Sequence, residues 1–359
     1  MKKRMLKRIS VLISLLLVIG AGLSVAAYRA AGCFDLFGDT AVAAQLMVFS
    51  NGSVYDGLSE PEPEDDADLP PETKPASKPL AVPKTSPTLP TEKPDKTSHS
   101  GDTYPVVEIS SSDGNMSYDN IAFKNYTSYD PDIGALLDSE LPFTLKDNST
   151  VQVLIYHTHT CERYLDEDVG YYYEDYYPRS TDGDKGVVAV GDRIAASLKE
   201  HGIGVVHDKK LHDYPSYDGS YSRSWDTITE YKKKYPGIVV TLDIHRDAMT
   251  ADDGTKYKPT FTYDGKKAAQ IMIMSGWGDS EDFPTWDENL IFATKLQKEC
   301  EDNYPGMTRP LYFGEFSYNM DFNNGSLLIE VGTDANTVDE ASYTGELLGK
   351  ALSSVLQKG

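Results

Sequence analysis

Between residues 104 and 359, short apolar runs alternate with segments whose apolar positions recur every three or four residues. Val151–Tyr156, VQVLIY, is almost continuously apolar and reads as a strand buried on both faces. Val187–Glu200 places Val187, Val190, Ile194 and Leu198 at helical spacing, with Gly202 as a stop. Ile203–Val206 is a second strand. Ser224–Lys234 is a polar helix ended by Pro236 and Gly237. Ile238–Ile244, Ile271–Met274 and Leu327–Val331 are further strands, and Pro284–Asp302 is a helix between the last two. Asn336 and Thr337, followed by Asp339 and Glu340, predict the start of a C-terminal helix reaching about Leu356. Alternation of this kind predicts an α/β fold, with a mostly parallel sheet and helices on both faces. Tyr104–Leu145 has no clear period and is expected to be an extension packed on the sheet.

The N-terminal third follows other rules. Five basic residues within the first eight precede the uncharged run Ile9–Ala27. Its nineteen residues span roughly 28 Å as a helix, close to the thickness of a hydrocarbon core. Positive charge stays cytoplasmic, so the expectation is a single-pass signal-anchor over 1–30 with the rest of the chain outside the cell membrane. Cleavage near Ala26–Ala27, or lipidation at Cys33 after Ala30-Ala31-Gly32, are the alternatives. Ser59–Ser100 holds ten of the twenty prolines and almost no large apolar residue. Such a stretch cannot bury enough surface to fold and extends toward polyproline II. Residues 31–103 are therefore expected to be a stalk, with a catalytic domain over 104–359.

Charge narrows the choice of partner. The chain carries 34 Lys and Arg against 56 Asp and Glu, a net charge of −22. An acidic body repels phosphate backbones, which argues against a nucleic-acid partner. Three cysteines exclude a disulfide framework and a Cys-based zinc module.

Three predicted strand ends carry acid–base or metal-type side chains, where ligands collect in open α/β sheets. His157-Thr158-His159-Thr160-Cys161-Glu162 follows the first strand, Asp243-Ile244-His245-Arg246-Asp247 ends another, and Glu330 lies within LLIEVG. His159, Glu162 and His245 supply two imidazoles and a carboxylate, the ligand types of a hydrolytic zinc site with a position left for water. Glu330, flanked by Leu327, Leu328, Ile329 and Val331, is poorly solvated, which raises its pKa toward that of a general acid–base. His157 and His159 alternate along an extended chain and so point to opposite sides. His159 is the preferred ligand, and His157 the reserve. His201, His207 and His212 read as structural, with His212 a weak reserve ligand. Cys161 as the nucleophile of a thiol peptidase is a competing reading, and a wall-binding module without turnover is another. His245-Arg246-Asp247 lacks the companion motifs of a kinase, and Gly276-x-Gly278 alone is too weak to mark a nucleotide site.

VLIYHTHTCERY (Val153–Tyr164), the stretch Val187–Ser224, DIHRDA (Asp243–Ala248) and YNMDFNNGSLLIEVGTDANT (Tyr318–Thr337) occur in that order. Together they resemble the stage II sporulation protein P family, which is similar to zinc-dependent N-acetylmuramoyl-L-alanine amidases. The resemblance implies a phosphorylase/hydrolase-like fold and Zn2+. It places ligands at His159 and His245 and a catalytic carboxylate at Glu330. Those amidases take their carboxylate ligand further along the chain, where this sequence offers only Asp182 and Asp184. Glu162 resembles instead the HxxE arrangement of zinc carboxypeptidases. Asp243, Arg246, Asp247 and Arg223 are expected to surround the ion or the substrate. The implied activity is hydrolysis of the N-acetylmuramoyl-L-alanine amide and of peptide cross-links in peptidoglycan. The implied setting is forespore engulfment, beside a SpoIID-like glycan-cleaving protein and a SpoIIM-like membrane protein.

Overall fold

The computed structural model describes residues 101–145, 150–278 and 283–358. The expected N-terminal anchor and most of the expected stalk lie outside the described residues. No helix among those described is long and apolar enough to cross a membrane.

The elements follow the order β1 (Thr103–Ile109), β2 (Met116–Tyr118), β3 (Ile121–Asn125), α1 (Ile133–Asp138), β4 (Val153–Tyr156), β5 (Tyr171–Tyr173) and α2 (Val187–Glu200). They continue with β6 (Val205–His207), α3 (Ser220–Lys234), β7 (Val240–Asp247), β8 (Lys256–Tyr263), β9 (Lys266–Ala269) and β10 (Ile271–Gly276). The chain ends with α4 (Trp286–Asn303), β11 (Leu311–Gly314), β12 (Ser326–Thr333) and α5 (Val338–Lys358). Single 3-10 turns cover Gly183–Lys185 and Met320–Phe322.

The main sheet has eight strands in the order β2-β3-β11-β10-β12-β7-β4-β6, and a four-stranded sheet runs β5-β1-β8-β9. The α/β class holds, but parallel pairing is less pervasive than the sequence predicts. β12, β7, β4 and β6 are mutually parallel, as are β3, β11 and β10, and the two blocks meet in an antiparallel pair between β10 and β12. The reversal follows from the connections, since α4 bridges β10 to the parallel strand β11, while the chain returns from β11 to β12 without an α-helix. Residues 104–145 are not a patternless extension. They supply β1 to the small sheet, and β2 and β3 to one edge of the main one. These strands are short and half-exposed, so their apolar period is weak.

Helices cover both faces. On one face Val153, Ile155, Leu242, Ile244, Ile329 and Val331 pack with Val190, Ile194 and Leu198 of α2 and Leu348 and Leu352 of α5. On the other, Leu154 and Tyr156 meet Ile228 and Trp225 of α3. The start of α5 is a reciprocal cap: Glu340 N–H donates to Thr337 Oγ1 at 3.2 Å, and Thr337 N–H donates to Glu340 Oε2 at 3.0 Å. Buried Asn289 of α4 fixes the chain entering β12. Its Nδ2 donates to Met320 O at 2.7 Å, and its Oδ1 accepts from Ser326 N–H at 3.1 Å. Replacing Asn289 with Ala strands two buried backbone groups, each costing about 1–3 kcal/mol. Asn289→Ala should therefore lower the urea midpoint with an unchanged slope; an unmoved midpoint would show that β12 does not need this bridge.

Candidate active site

The sequence between β4 and α2 builds the first half of the site. After Tyr156 the chain turns, and Glu162 N–H donates to His159 O at 3.1 Å, closing a tight turn over His159–Glu162. This turn puts two side chains three residues apart on the same side. Gly186 makes room for it: a Cβ there would lie 2.0 Å from Glu162 O. Val187 N–H, opening α2, donates to that same carbonyl at 3.1 Å.

The second half comes from neighbouring parallel strands. Glu330 on β12 is the register partner of His245 on β7, and Leu328 that of Asp243. Alternation along β7 turns Asp243, His245 and Asp247 to one face. His245 and His159 meet ring edge to face with centroids 5.2 Å apart, and His245 Nδ1 lies 3.7 Å from Glu162 Oε2. His245 Nε2 sits 2.9 Å from Asp243 Oδ1 without the alignment of a hydrogen bond. Asp243 is itself held by Thr158, whose N–H and Oγ1 donate to its two oxygens at 2.8 and 2.6 Å.

Burial opposes charge on His245, yet Asp243, Glu162 and Glu330 outweigh it and raise its pKa to about 10. Burial pushes Glu330 up to about 8 against the pull of His245, with Asp247 and Glu162 adding to the rise. Glu330 Oε2 is buried and has no hydrogen-bond partner. Burial holds His159 well below the usual imidazole range, helped by His245, Arg179 and Arg246, so it is a neutral ligand-type imidazole. Burial also raises Glu162. One imidazole thus faces three carboxylates in a poorly solvated place, which calls for added positive charge.

These donors suit a divalent ion in type. As they lie, no three His, Cys, Asp or Glu side chains among the described residues converge on one point. The reason is local: His159 Nε2 bonds the Tyr217 hydroxyl at 2.9 Å, and the two rings stack at 4.4 Å.

The other expected residues separate clearly. His157 is fully buried on the opposite side of the chain, with Nδ1 on Ile244 O at 2.8 Å and Nε2 on His207 Nε2 at 2.8 Å. Gly191 of α2 leaves space for that pair, since a Cβ would lie 2.5 Å from His207 Nε2. His212 is enclosed by His157 O and Thr227 Oγ1. Asp182 and Asp184 are exposed, and Asp182 caps its own turn, whereas Glu162 touches His245. Arg246 is scaffold: its N–H donates to Glu162 Oε2 at 3.0 Å, and its guanidinium donates to Arg163 O and Pro178 O. Asp247 pairs with buried Arg309 at 2.8 Å. Arg223 is not placed around the ion or substrate as expected. Its guanidinium clamps the loop before α3 through the carbonyls of His212, Ser216 and Asp218. Sequence reasoning missed Tyr217, Thr158 and Ser220, whose Oγ lies 3.4 Å from His159 Nδ1; tyrosine and serine in a loop carry no spacing signal.

Cys161 lacks the setting of a nucleophile. Burial, then Asp213, push its thiol up, and its backbone N–H bonds the Asp213 carboxylate at 3.2 Å. Thiolate formation is suppressed where a nucleophile needs the reverse. The native chain should react with iodoacetamide at Cys161 no faster than its unfolding allows; rapid labelling of folded protein would restore the thiol reading.

The fold and this cluster define an α/β protein with a hydrolase-type His, Glu and Asp constellation at the carboxyl ends of parallel strands. A family model for stage II sporulation protein P matches residues 58–353, and the chain belongs to that family. No curated protein sequence matches it. Among solved structures it is similar to the N-acetylmuramoyl-L-alanine amidase AmiC2 of Nostoc punctiforme, at 14% identity over 58% of this chain and 96% of that one, TM-score 0.35. It is also similar to the CwlD amidase of Clostridioides difficile in complex with the GerS lipoprotein, at 13% identity over 58% and 97%, TM-score 0.35. A third is the amidase Ami1 of Mycobacterium smegmatis, at 10% identity over 59% and 100%, TM-score 0.33.

Proposed function

We propose that the chain is a zinc-dependent peptidoglycan hydrolase of the sporulating cell that cuts the N-acetylmuramoyl-L-alanine amide and peptide cross-links. One observation carries the reading: His159 and Glu162 each lie against His245, whose register partner is Glu330, in a place where three carboxylates act on one imidazole. The setting, forespore engulfment beside SpoIID-like and SpoIIM-like partners, follows from family membership. Tethering through the N-terminal apolar run, with the domain outside the cell membrane, follows from the sequence.

His159, Glu162 and His245 would hold the ion. With Asp243 2.9 Å from its Nε2, His245 would give up a proton on binding the ion and present Nδ1, the nitrogen on the Glu162 side, as the donor. His159 would exchange the Tyr217 hydroxyl for the metal. When bound, zinc supplies Lewis-acid polarisation and a water of lowered pKa. Glu330 takes the proton from the attacking water and delivers it to the departing nitrogen, the role its raised pKa fits near neutral pH. Arg246 and the His159–Glu162 turn keep Glu162 in place, so that little reorganisation remains at the moment of reaction.

Substitution separates metal retention from proton transfer. His245→Ala and His159→Ala should lower zinc content and abolish release of soluble fragments from purified sacculi. Glu162→Gln should also lose zinc. His157→Ala should disturb stability more than metal content. Glu330→Gln should keep zinc near one per chain while turnover falls by about 10²–10⁴-fold. A chelator should stop the wild type, and added zinc should restore it. Full turnover in metal-free protein, or zinc loss on Glu330→Gln with Glu162→Gln unaffected, would overturn the assignment.

A further inference from the structure

The loop between β6 and α3 brings one more group to His159. Within Tyr214–Gly219 only Tyr217 turns inward: it is half-buried, while the others are exposed. Its ring stacks on the His159 imidazole at 4.4 Å with 12° between the planes, and its hydroxyl meets His159 Nε2 at 2.9 Å. At the other nitrogen, Ser220 Oγ lies 3.4 Å from Nδ1. A neutral imidazole with its proton on Nδ1 donates toward Ser220 and accepts from the Tyr217 hydroxyl at Nε2. That tautomer is also the one that offers Nε2 to an ion.

The loop is built to hold this tyrosine. Arg223 of α3 donates from Nη2 to Ser216 O at 2.6 Å and from Nη1 to Asp218 O at 2.9 Å, so the backbone is clamped on both sides of Tyr217. Gly219, at φ +76°, leaves room for the clamp, since a Cβ there would lie 3.1 Å from Arg223 Nη1. The Arg179 guanidinium lies over the Tyr217 ring, 4.9 Å from its centroid, and is anchored on the buried carboxylate of Asp213. Restraints of this kind, on a loop whose other residues are exposed, fix one hydroxyl beside one imidazole. A donor fixed in advance needs no rearrangement when charge develops.

Amide hydrolysis calls for such a donor. The tetrahedral intermediate carries negative charge on the former carbonyl oxygen, and hydrogen-bond donors aimed at that oxygen stabilise it. Glu162, Asp243, Asp247 and Glu330 are acceptors when ionised. The neighbouring guanidiniums are engaged elsewhere: Arg246 with Arg163 O and Pro178 O, Arg309 with Asp247, and Arg179 with Asp213. The Tyr217 hydroxyl loses its acceptor when His159 gives up Nε2 to an ion, while the Arg223 clamp still holds the backbone around it. Resting on the hydrolase reading above, we propose that Tyr217 is a catalytic residue. Released from Nε2, its hydroxyl turns to the carbonyl oxygen of the scissile amide and donates a hydrogen bond to it as negative charge develops there.

The test is Tyr217→Phe in the full chain, which keeps the ring, its stack on His159 and its contact with Arg179, and removes only the hydroxyl. With zinc loaded, kcat for release of soluble fragments from purified sacculi should fall about 10²–10³-fold, with apparent KM unchanged within about twofold. Zinc affinity is measured separately, by competition with a chromophoric chelator. It should equal that of the wild type or exceed it by up to about tenfold, because binding no longer displaces a hydrogen bond. Turnover by Tyr217→Phe equal to that of an active wild type overturns the proposal and leaves the hydrolase reading standing. A loss confined to KM also overturns it, and makes Tyr217 a binding contact. Weaker zinc binding by Tyr217→Phe overturns it in favour of a phenol that ligates the ion. A zinc-loaded wild type that releases nothing from sacculi removes the hydrolase reading, and the proposal with it.

Discussion

The site is organised by the pairing of His245 with Glu330 across two adjacent parallel strands. Parallel register places both side chains on one face at one level, with His245 buried and Glu330 half-buried with its Oε2 shielded from water. Neither group can then keep its ordinary protonation. Three carboxylates pull His245 up, and burial pulls Glu330 up. A core that places such groups without full compensation gives up stability for chemistry, since each unmet buried charge is costly. The same arrangement sets the two groups apart: the imidazole is surrounded by carboxylates, and the carboxyl keeps a buried Oε2 without a hydrogen-bond partner.

The rest of the molecule holds that pair in place. Thr158 fixes Asp243 and Asp243 backs His245, so the loop after β4 and the strand β7 are locked by one carboxylate. The His159–Glu162 turn is held from below by α2, from the side by the Arg246 amide, and over Arg246 by the carbonyls of Arg163 and Pro178. His157, so close in sequence, serves the opposite face, where it joins β7 to His207 and packs under Gly191. One extended segment thus faces the candidate site with one side and the core with the other.

The sequence alone determined the elements with strong period and strong caps: β4, α2, β7, β12 and α5, each long or continuously apolar enough for burial to outweigh local alternatives. It also determined the chemistry of the cluster, because an apolar run ending in His, Asp-x-His or a lone Glu has few low-energy explanations. Alternation along an extended chain sufficed to set His159 apart from His157. Tertiary structure alone decided the rest. The half-exposed strands β1, β2 and β3 bury too little to impose a pattern, so their place depends on the edge they join. The reversal between β10 and β12 depends on which connection carries a helix. The carboxylate that accompanies the histidines is Glu162 rather than Asp182 or Asp184 because a turn, not a spacing, brings it to His245. Arg223 became a loop clamp because the nearest acceptors in space are carbonyls. Tyr217 was illegible because stacking between rings from distant segments is a property of their positions in space, and no periodicity along the chain records it.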